Sequence, residues 1–369
     1  MKNLLLATFT FLSFHLFAQH SHTRVGVFPD IGEYLTLKVD LHIHTVFSDG
    51  SVWPDIRVQE ALRDSLDLVS MTEHLEYQPH EDDIPHPDRN RSYELTAQLA
   101  KPYRLMVANG AEITRSMPPG HNNAIFIKDA NKLRVDDPME AFKEANRQGA
   151  FVFWNHPNWI AQEGDGIAKM TDMHRQLIEE RLLHGIEVVN DLTYSDEALQ
   201  LALDYDLTIM GTSDVHGLVD WQYGIEQGGH RPITLVFAKE KTQESIKEAL
   251  MTGRTVAWFK DLLIGRDSIL RPLIEASLEV EKVGYQGIAS VVDIYIRNNS
   301  SVNYILANRS PYTFHANGDV ITLKANATTK IEVKTLEQLK ELELKFEVLN
   351  GIVAPKAHPM VKIAIVIPE

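Results

Sequence analysis

The sequence predicts an α/β domain, a parallel barrel or doubly wound sheet, followed by a small all-β sandwich. Three observations carry that expectation. Strand-like and helix-like stretches alternate six or seven times up to about residue 216. From about residue 275 short segments of alternating polarity take over, with Asn298-Asn299-Ser300 and Asn317-Gly318-Asp319 as turns. Histidines and carboxylates recur where predicted strands end, the level at which sites of parallel barrels lie. The expected organisation is a leader over 1–19, the α/β domain over 20–274 and the sandwich over 275–369.

Leu35, Leu37, Val39, Leu41 and Ile43 recur at every second position, the period of a strand. On that strand His42 and His44 share a face, opposite the row of Leu41 and Ile43. Ser48-Asp49-Gly50 then breaks the run and offers a further carboxylate. Pro54 suits the first turn of a helix over 54–65. A strand over 66–72 ends in Glu73-His74, and Pro79, Pro85 and Pro87 make 77–92 a long loop. A helix over 92–101 precedes a strand over 103–109 that delivers Glu112. Pro118-Pro119-Gly120-His121 is a turn before a short strand over 124–127. Asp136-Asp137-Pro138 opens a helix, and the apolar strand 150–154 runs into Asn155-His156-Pro157. A helix near 172–183 leads to a strand over 185–189. Ser195 caps the next helix, and a strand over 207–212 ends in Ser213-Asp214-Val215-His216. In the sandwich, 291–296, 330–333, 342–346 and 361–366 alternate as strands.

Composition narrows the function. A formal charge of −15 and the lack of any basic run argue against a nucleic-acid partner, which is held by clustered Lys and Arg. With no cysteine among 369 residues, disulfides and thiolate sites are excluded, so a metal must be held by His, Asp and Glu. Lys2, an apolar run through Phe17 and Ala18-Gln19 have the form of a secretory signal peptide, too short for a membrane span. The expected location is therefore periplasmic or secreted, with no integral membrane span. His42, His44, His74, Glu112, His121, His156, Asp214 and His216, with Asp49 nearby, form a ligand-type constellation at one rim. Gly211-Thr212-Ser213-Asp214-Val215 is not a Gly-x-Ser-x-Gly elbow, which removes a serine hydrolase.

These motifs resemble the PHP (polymerase and histidinol phosphatase) superfamily of metal-dependent phosphoesterases. Asp40-Leu41-His42-Ile43-His44 with Ser48-Asp49-Gly50 is similar to its first motif and Thr72-Glu73-His74 to its second. Gly110-Ala111-Glu112 with Gly120-His121, Asn155-His156-Pro157 and Ser213-Asp214-Val215-His216 resemble the later ones. The resemblance spans roughly residues 35–260 and implies a distorted (β/α)7 barrel holding two to three divalent ions, Mn, Zn or Fe. It implies one ion on His42, His44, Glu112 and Asp214. A second would lie on bridging Glu112, His121 and His156, and a third on Asp49, His74 and His216. Asp49 stands where some members have His. Glu112, Asp214 and His216 are then also the catalytic residues, in hydrolysis by a metal-bridged hydroxide attacking phosphorus. The leader and sandwich look most like a secreted, Sb-PDE-like phosphodiesterase branch, which implies small phosphodiesters as substrates and monoesters as poorer ones.

Arg115, His230 and Arg231 are candidate phosphate contacts. Tyr77, Trp159, Trp221 and Tyr223 lie in loops, available to a substrate wall or to packing. Two rival readings are an amidohydrolase-type enzyme acting on C–N or lactone bonds and a non-catalytic periplasmic metal-binding protein.

Overall fold

The structure, a computed structural model, describes residue 24 and residues 26–368. The expected leader, residues 1–19, lies outside the described residues. The α/β domain contains strands β1 (Leu35–Ile43), β2 (Leu68–Met71), β3 (Met106–Ile113), β4 (Asn122–Ile125), β5 (Phe151–Trp154) and β6 (Gly185–Asn190). It continues with β7 (Thr193–Tyr194), β8 (Thr208–Thr212), β9 (Ile233–Ala238), β10 (Thr255–Phe259) and β11 (Leu262–Gly265). Its helices are α1 (Pro54–Arg63), α2 (Arg91–Ala100), α3 (Pro138–Arg147), α4 (Asp172–Glu179), α5 (Asp196–Asp204), the short α6 (Val219–Gln222), α7 (Gln243–Met251) and α8 (Asp267–Ser277).

The sheet is mixed, where the alternation of strand and helix predicted a parallel barrel or doubly wound sheet and the resemblance a distorted (β/α)7 barrel. β1–β2–β3 and β5–β6–β8 pair in parallel, each joined by helical crossovers. β3–β4–β5 and β1–β9–β10–β11 pair antiparallel. The reason at β4 is local: no helix separates it from β3, so the chain turns straight back through 114–121.

The curled sheet is drawn together by side chains where ladders are lacking. β8 pairs with β6 and lies off the main strand path. Thr234 Oγ1 of β9 accepts from Gly211 N–H at 3.0 Å and donates to its carbonyl at 2.8 Å. Thr255 Oγ1 of β10 donates to Ile209 O at 2.7 Å. Gly211 is required there, because a Cβ would stand 2.7 Å from the Cβ of Ala257. Beyond β8, Asp214 N–H donates to His42 O at 2.8 Å and His44 N–H to Val215 O at 3.2 Å. These bonds bring the ends of β1 and β8 side by side.

β1 departs from strict alternation. Asp40 pairs with Val69 but Ile43 with Met71, so one extra residue is accommodated between them. Leu41 therefore packs with Val39 and Phe153, while Ile43 packs in a different cluster with Val58, Val69 and Met71. The single row of Leu41 and Ile43 expected from sequence is split, and the irregularity falls between Asp40 and Ile43, in the stretch that carries His42.

The C-terminal part is a sandwich of two four-stranded antiparallel sheets. One is β12 (Leu278–Tyr285), β13 (Val291–Asn298), β17 (Thr328–Lys334) and β15 (Thr313–Phe314). The other is β16 (Val320–Leu323), β14 (Tyr304–Asn308), β18 (Glu341–Val348) and β20 (Met360–Val366). Val292, Ile294 and Ile296 of β13 face Leu344, Phe346 and Val348 of β18 across one core. Strand β19 (Gly351–Ile352) leaves the sandwich and pairs in parallel with β11. Buried Asn350 fastens the junction: its Oδ1 accepts from Ile305 N–H at 2.9 Å and its carbonyl from Leu263 N–H at 3.1 Å. Leu270, Leu273 and Ile274 of α8 are fully buried in the same cluster as the sandwich core.

This shared core gives a stability prediction. A chain ending at Ser277 uncovers those three side chains, a loss of about 5 kcal/mol at roughly 1.5–3 kcal/mol per fully buried aliphatic side chain. All nine ligand-type residues are retained. Thermal unfolding of the shortened chain should begin well below that of the full chain. Coincident melting curves would show that the sandwich lends no stability.

Candidate metal centre

Nine side chains from seven segments meet at one rim of the curled sheet. His42 projects from β1 and His44 from just past it, with their Nε2 atoms 3.0 Å apart. Asp214 Oδ1 lies 3.1 Å from both. Glu112 of β3 stands in the middle. Its Oε1 is 2.9 Å from His121 Nδ1, 3.5 Å from His156 Nε2 and 3.8 Å from His42 Nε2. Its Oε2 is 2.6 Å from His74 Nδ1 and 3.6 Å from His44 Nε2. Asp49 reaches His216 Nε2 at 3.1 Å and His74 Nε2 at 3.3 Å.

Donor atoms within 4.8 Å of one another fall into three groups. They are His42, His44 and Asp214; His74, Glu112 and His121; and His44, Asp49, His74 and His216. The partition expected from resemblance differs: Glu112 falls in one group only, with His74 and His121, while His44 and His74 each face two groups, because both ring nitrogens of each have donors nearby. His156 belongs to none of the three and faces Glu112 alone.

The electrostatics call for positive charge. Burial opposes ionisation of Glu112, yet His74 and His121 hold its carboxyl well below the usual carboxylate range. Burial likewise disfavours the His74 imidazolium, but Glu112 and Asp49 push that ring up to about 10. Desolvation and neighbouring His216 lower His44 to about 4, which leaves one of its ring nitrogens with a free lone pair. Asp214, though partly desolvated, is kept ionised by His42 and His44.

A second layer of polar groups fixes these donors. Glu187, buried on β6, accepts from His42 Nδ1 at 2.7 Å, Thr212 Oγ1 at 2.6 Å, His156 N–H at 2.7 Å and Asn190 Nδ2 at 2.8 Å. Its bond to Nδ1 leaves His42 Nε2 to act as a lone-pair donor. Asn155 Nδ2 donates to Glu112 Oε1 at 2.9 Å, and Asn190 Nδ2 to Asp214 Oδ2 at 3.2 Å. Arg57, fully buried in α1, donates to the carbonyls of His44, Val215 and Gly217 at 2.9, 2.9 and 2.8 Å. Glu73 turns away from the donors and accepts from Thr45 N–H at 3.1 Å and Ser92 Oγ at 2.7 Å. Sequence reasoning passed over Glu187 and Arg57. The signal for Glu187 was a carboxylate inside the apolar run Ile186-Glu187-Val188-Val189, where a buried charge has to be paired.

The three candidate phosphate contacts lie elsewhere. Arg231 is buried in ion pairs with Asp40 at 3.1 Å and Asp64 at 2.7 Å, so its charge is taken up by the scaffold. His230 stacks on Trp258 at 3.9 Å, its ring nitrogens 2.8 and 3.0 Å from backbone carbonyls. Arg115 pairs with Glu76 at 2.9 Å and meets the carbonyls of Val135 and Asp136. A cavity of about 630 Å³ opens over the donors, and none of these three lines it. Among the described residues lining it there is no Lys or Arg. Trp159 does line it, its ring 5.2 Å from that of His156. Tyr77 packs against His74 at 5.8 Å, Trp221 is 82% exposed away from the cavity, and Tyr223 is buried with its hydroxyl on Ser213 O.

These residues fit divalent cations. Glu112 Oε2, His121 Nδ1 and His156 Nδ1 are buried without a hydrogen-bond partner, although two of them lie 2.6 and 2.9 Å from another donor. Close contact without hydrogen-bond alignment is what atoms aimed at a shared ion show. The donor set is O and N without sulfur, which suits Mn²⁺, Fe²⁺ or Zn²⁺. Replacing Glu187 by Gln should weaken metal binding about 10- to 100-fold, the usual effect of losing a carboxylate behind a ligating histidine. Titration against a competing chelator measures it, and an unchanged affinity would mean that Glu187 does not orient His42.

Comparison with known proteins agrees with this geometry. No protein of curated function matches the chain. A family model described as an Ig-like domain matches residues 278–364. The crystal structure of a two-domain protein from Bacteroides vulgatus, containing a predicted PHP-like metal-dependent phosphoesterase, aligns with a TM-score of 0.87 and 42% identity. It covers 92% of this chain and 98% of that one. Two further structures align at 16% identity. A candidate metal-dependent phosphoesterase from Bifidobacterium adolescentis has a TM-score of 0.37, over 49% of this chain and 88% of that one. An amidohydrolase from Chromobacterium violaceum has 0.36, over 48% and 87%. Scores that low say nothing about shared architecture. On the full-length match, the chain belongs to the family of two-domain proteins that carry a PHP-like metal-dependent phosphoesterase.

Proposed function

We propose that this protein is an exported phosphodiesterase that hydrolyses small phosphodiesters with two to three divalent ions, Mn, Zn or Fe, held by the nine converging side chains. The observation that carries the reading is the pairing of that donor set with a cavity whose described lining contains no Lys or Arg. A phosphate entering there meets no Lys or Arg side chain, and ions bound to the rim supply the positive charge its oxygens need. Such ions stabilise charge on phosphoryl oxygens and acidify water.

The chain's own residues do the positioning. Glu112, touched by His74, His121 and Asn155, fixes the spacing between neighbouring donor groups. Glu187 holds His42 in one tautomer, and Asn190 ties Glu187 to Asp214. Asp214 and His216 are placed together because the His216 Nδ1–H donates to Asp214 O at 2.7 Å. Trp159 and Ile160 supply the apolar part of the cavity lining. An amidohydrolase reading would draw on a carbamylated lysine, and no lysine is among the described lining residues. Export rests on the basic start and apolar run of residues 1–19.

Metal content and two variants test the centre. Elemental analysis of the reconstituted mature chain should give two to three ions, and one ion at saturation would overturn the multinuclear assignment. Glu112→Ala should abolish turnover, whereas Asp49→Ala, at the edge of one group, should lower it by about 10- to 100-fold. Equal residual rates at matched metal content would remove Glu112 from its central role.

Steady-state kinetics on matched aryl mono- and diesters test the substrate class. The diester should show the higher kcat/KM, in keeping with the resemblance of leader and sandwich to the secreted phosphodiesterase branch. Long nucleic acids should be refused, since a net charge of −15 repels a polyanion. A monoester preferred over the diester would overturn the subclass and leave the phosphoesterase reading standing.

A further inference from the structure

A carboxylate outside the donor groups lines a cavity suited to an anion. Asp191 follows β6 directly, with a backbone φ of 49°, in the left-handed region. Its N–H donates to Thr212 O at 3.2 Å, which anchors it beside β8. One side-chain oxygen accepts from Gln222 Nε2 at 2.8 Å, and Gln222 also lines the cavity. Asp191 belongs to none of the three donor groups. Asn190, its neighbour in sequence, bonds Asp214, so Asp191 flanks the donors on the Asp214 side. Trp159 lines the same cavity, its ring 5.6 and 5.2 Å from those of His121 and His156, and is 46% exposed.

We propose that Asp191 and Trp159 select phosphoesters whose alcohol portion carries a positive charge, an amino-alcohol or quaternary ammonium alcohol. The inference rests on the phosphoesterase reading above. A carboxylate beside an incoming phosphate repels it, and no Lys or Arg in the described lining neutralises this one. The repulsion is turned to use when the substrate brings its own cation: the phosphate faces the metal-binding rim while the ammonium group faces Asp191. An exposed indole face favours the same ligand, because its quadrupole attracts alkylammonium groups. A substrate with a second anionic group is rejected by the same carboxylate.

The test uses the full mature chain reconstituted with metal and three 4-nitrophenyl phosphodiesters. Their second alcohols are choline, its neutral isostere 3,3-dimethylbutanol, and the anionic 3-hydroxypropanoate. The choline ester should exceed the neutral one in kcat/KM by about tenfold, mainly through KM, as expected for one charge contact plus one cation–π contact. The anionic ester should be slowest. Asp191→Asn should bring the choline-to-neutral ratio close to one, and Trp159→Leu should lower it part of the way. A choline ester no better than its isostere, or a ratio unmoved by Asp191→Asn, overturns the proposal. Calorimetric binding of free choline against 3,3-dimethylbutanol to the same proteins needs no turnover. If no ester is hydrolysed with any metal, the phosphoesterase reading fails, and equal binding of the two alcohols then separately overturns the role of Asp191.

Discussion

Glu112 has no exposure to water, and the arrangement of the α/β domain follows from having to keep its charge there. An ionised carboxylate in such a place is tolerated only if neighbouring charges and hydrogen bonds replace its hydration. His74, His121 and Asn155 do so directly, each from a different segment. Buried Glu187 and partly buried Asp214, at the same rim, add to the negative charge, so protonated histidines or bound cations have to balance them. Three strands end within reach of one another because this group of charges has one place to be satisfied.

The backbone is shaped to that end, with local departures from regular structure at the donors. The extra residue in β1 falls between Asp40 and Ile43, the stretch that carries His42. His156 and Asp214 both have positive φ, 30° and 51°, a region that side chains with a Cβ seldom occupy. Each is overdetermined by its surroundings: His156 N–H is held by Glu187 and Asp214 N–H by His42 O. Arg57 does the same for the carbonyls of His44, Val215 and Gly217, and its own charge is met by Glu60 at 2.7 Å. The donors are thus held by groups that are themselves fixed, which is how a site keeps its geometry to a fraction of an ångström.

Much of this could be read before any coordinates. Strand periodicity and the habit of donors to follow strands put His42, His44, Glu112, His156, Asp214 and His216 at one level, because in parallel units strand ends converge. Alternation was equally plain in the sandwich, where β13, β18 and β20 each bury every second residue. Strand direction was not legible. The antiparallel return from β3 to β4 depends on the absence of a crossover helix, and the apolar run 124–127, which misplaced the strand by two residues from Asn122–Ile125, carries no sign of which way it runs. The register shift in β1 was hidden for a similar reason, since one inserted residue leaves the local pattern looking regular. The layer of Glu187, Asn190 and Arg57 was harder still: each contacts residues distant in the chain, and only an oddly placed charge hints at them.

The fate of the three basic candidates links scaffold to chemistry. Arg231, Arg115 and His230 looked like phosphate contacts because they sit in or beside loops, yet Asp40, Asp64, Glu76 and Trp258 engage them away from the cavity. Arg231 joins the segment after the η-turn at Ile225–Gln227 to β1 through Asp40, whose other bonds hold Ser213 next to Asp214. A guanidinium buried in that way steadies the rim from below and is unavailable to a substrate above. With the arginines assigned to holding the strands together, the cavity keeps carboxylates and imidazoles facing inward and no fixed cation among its described lining residues. Its affinity for an anion then depends on what the rim itself binds, and the same charges that make the empty rim unfavourable for phosphate make the metal-loaded rim favourable for it.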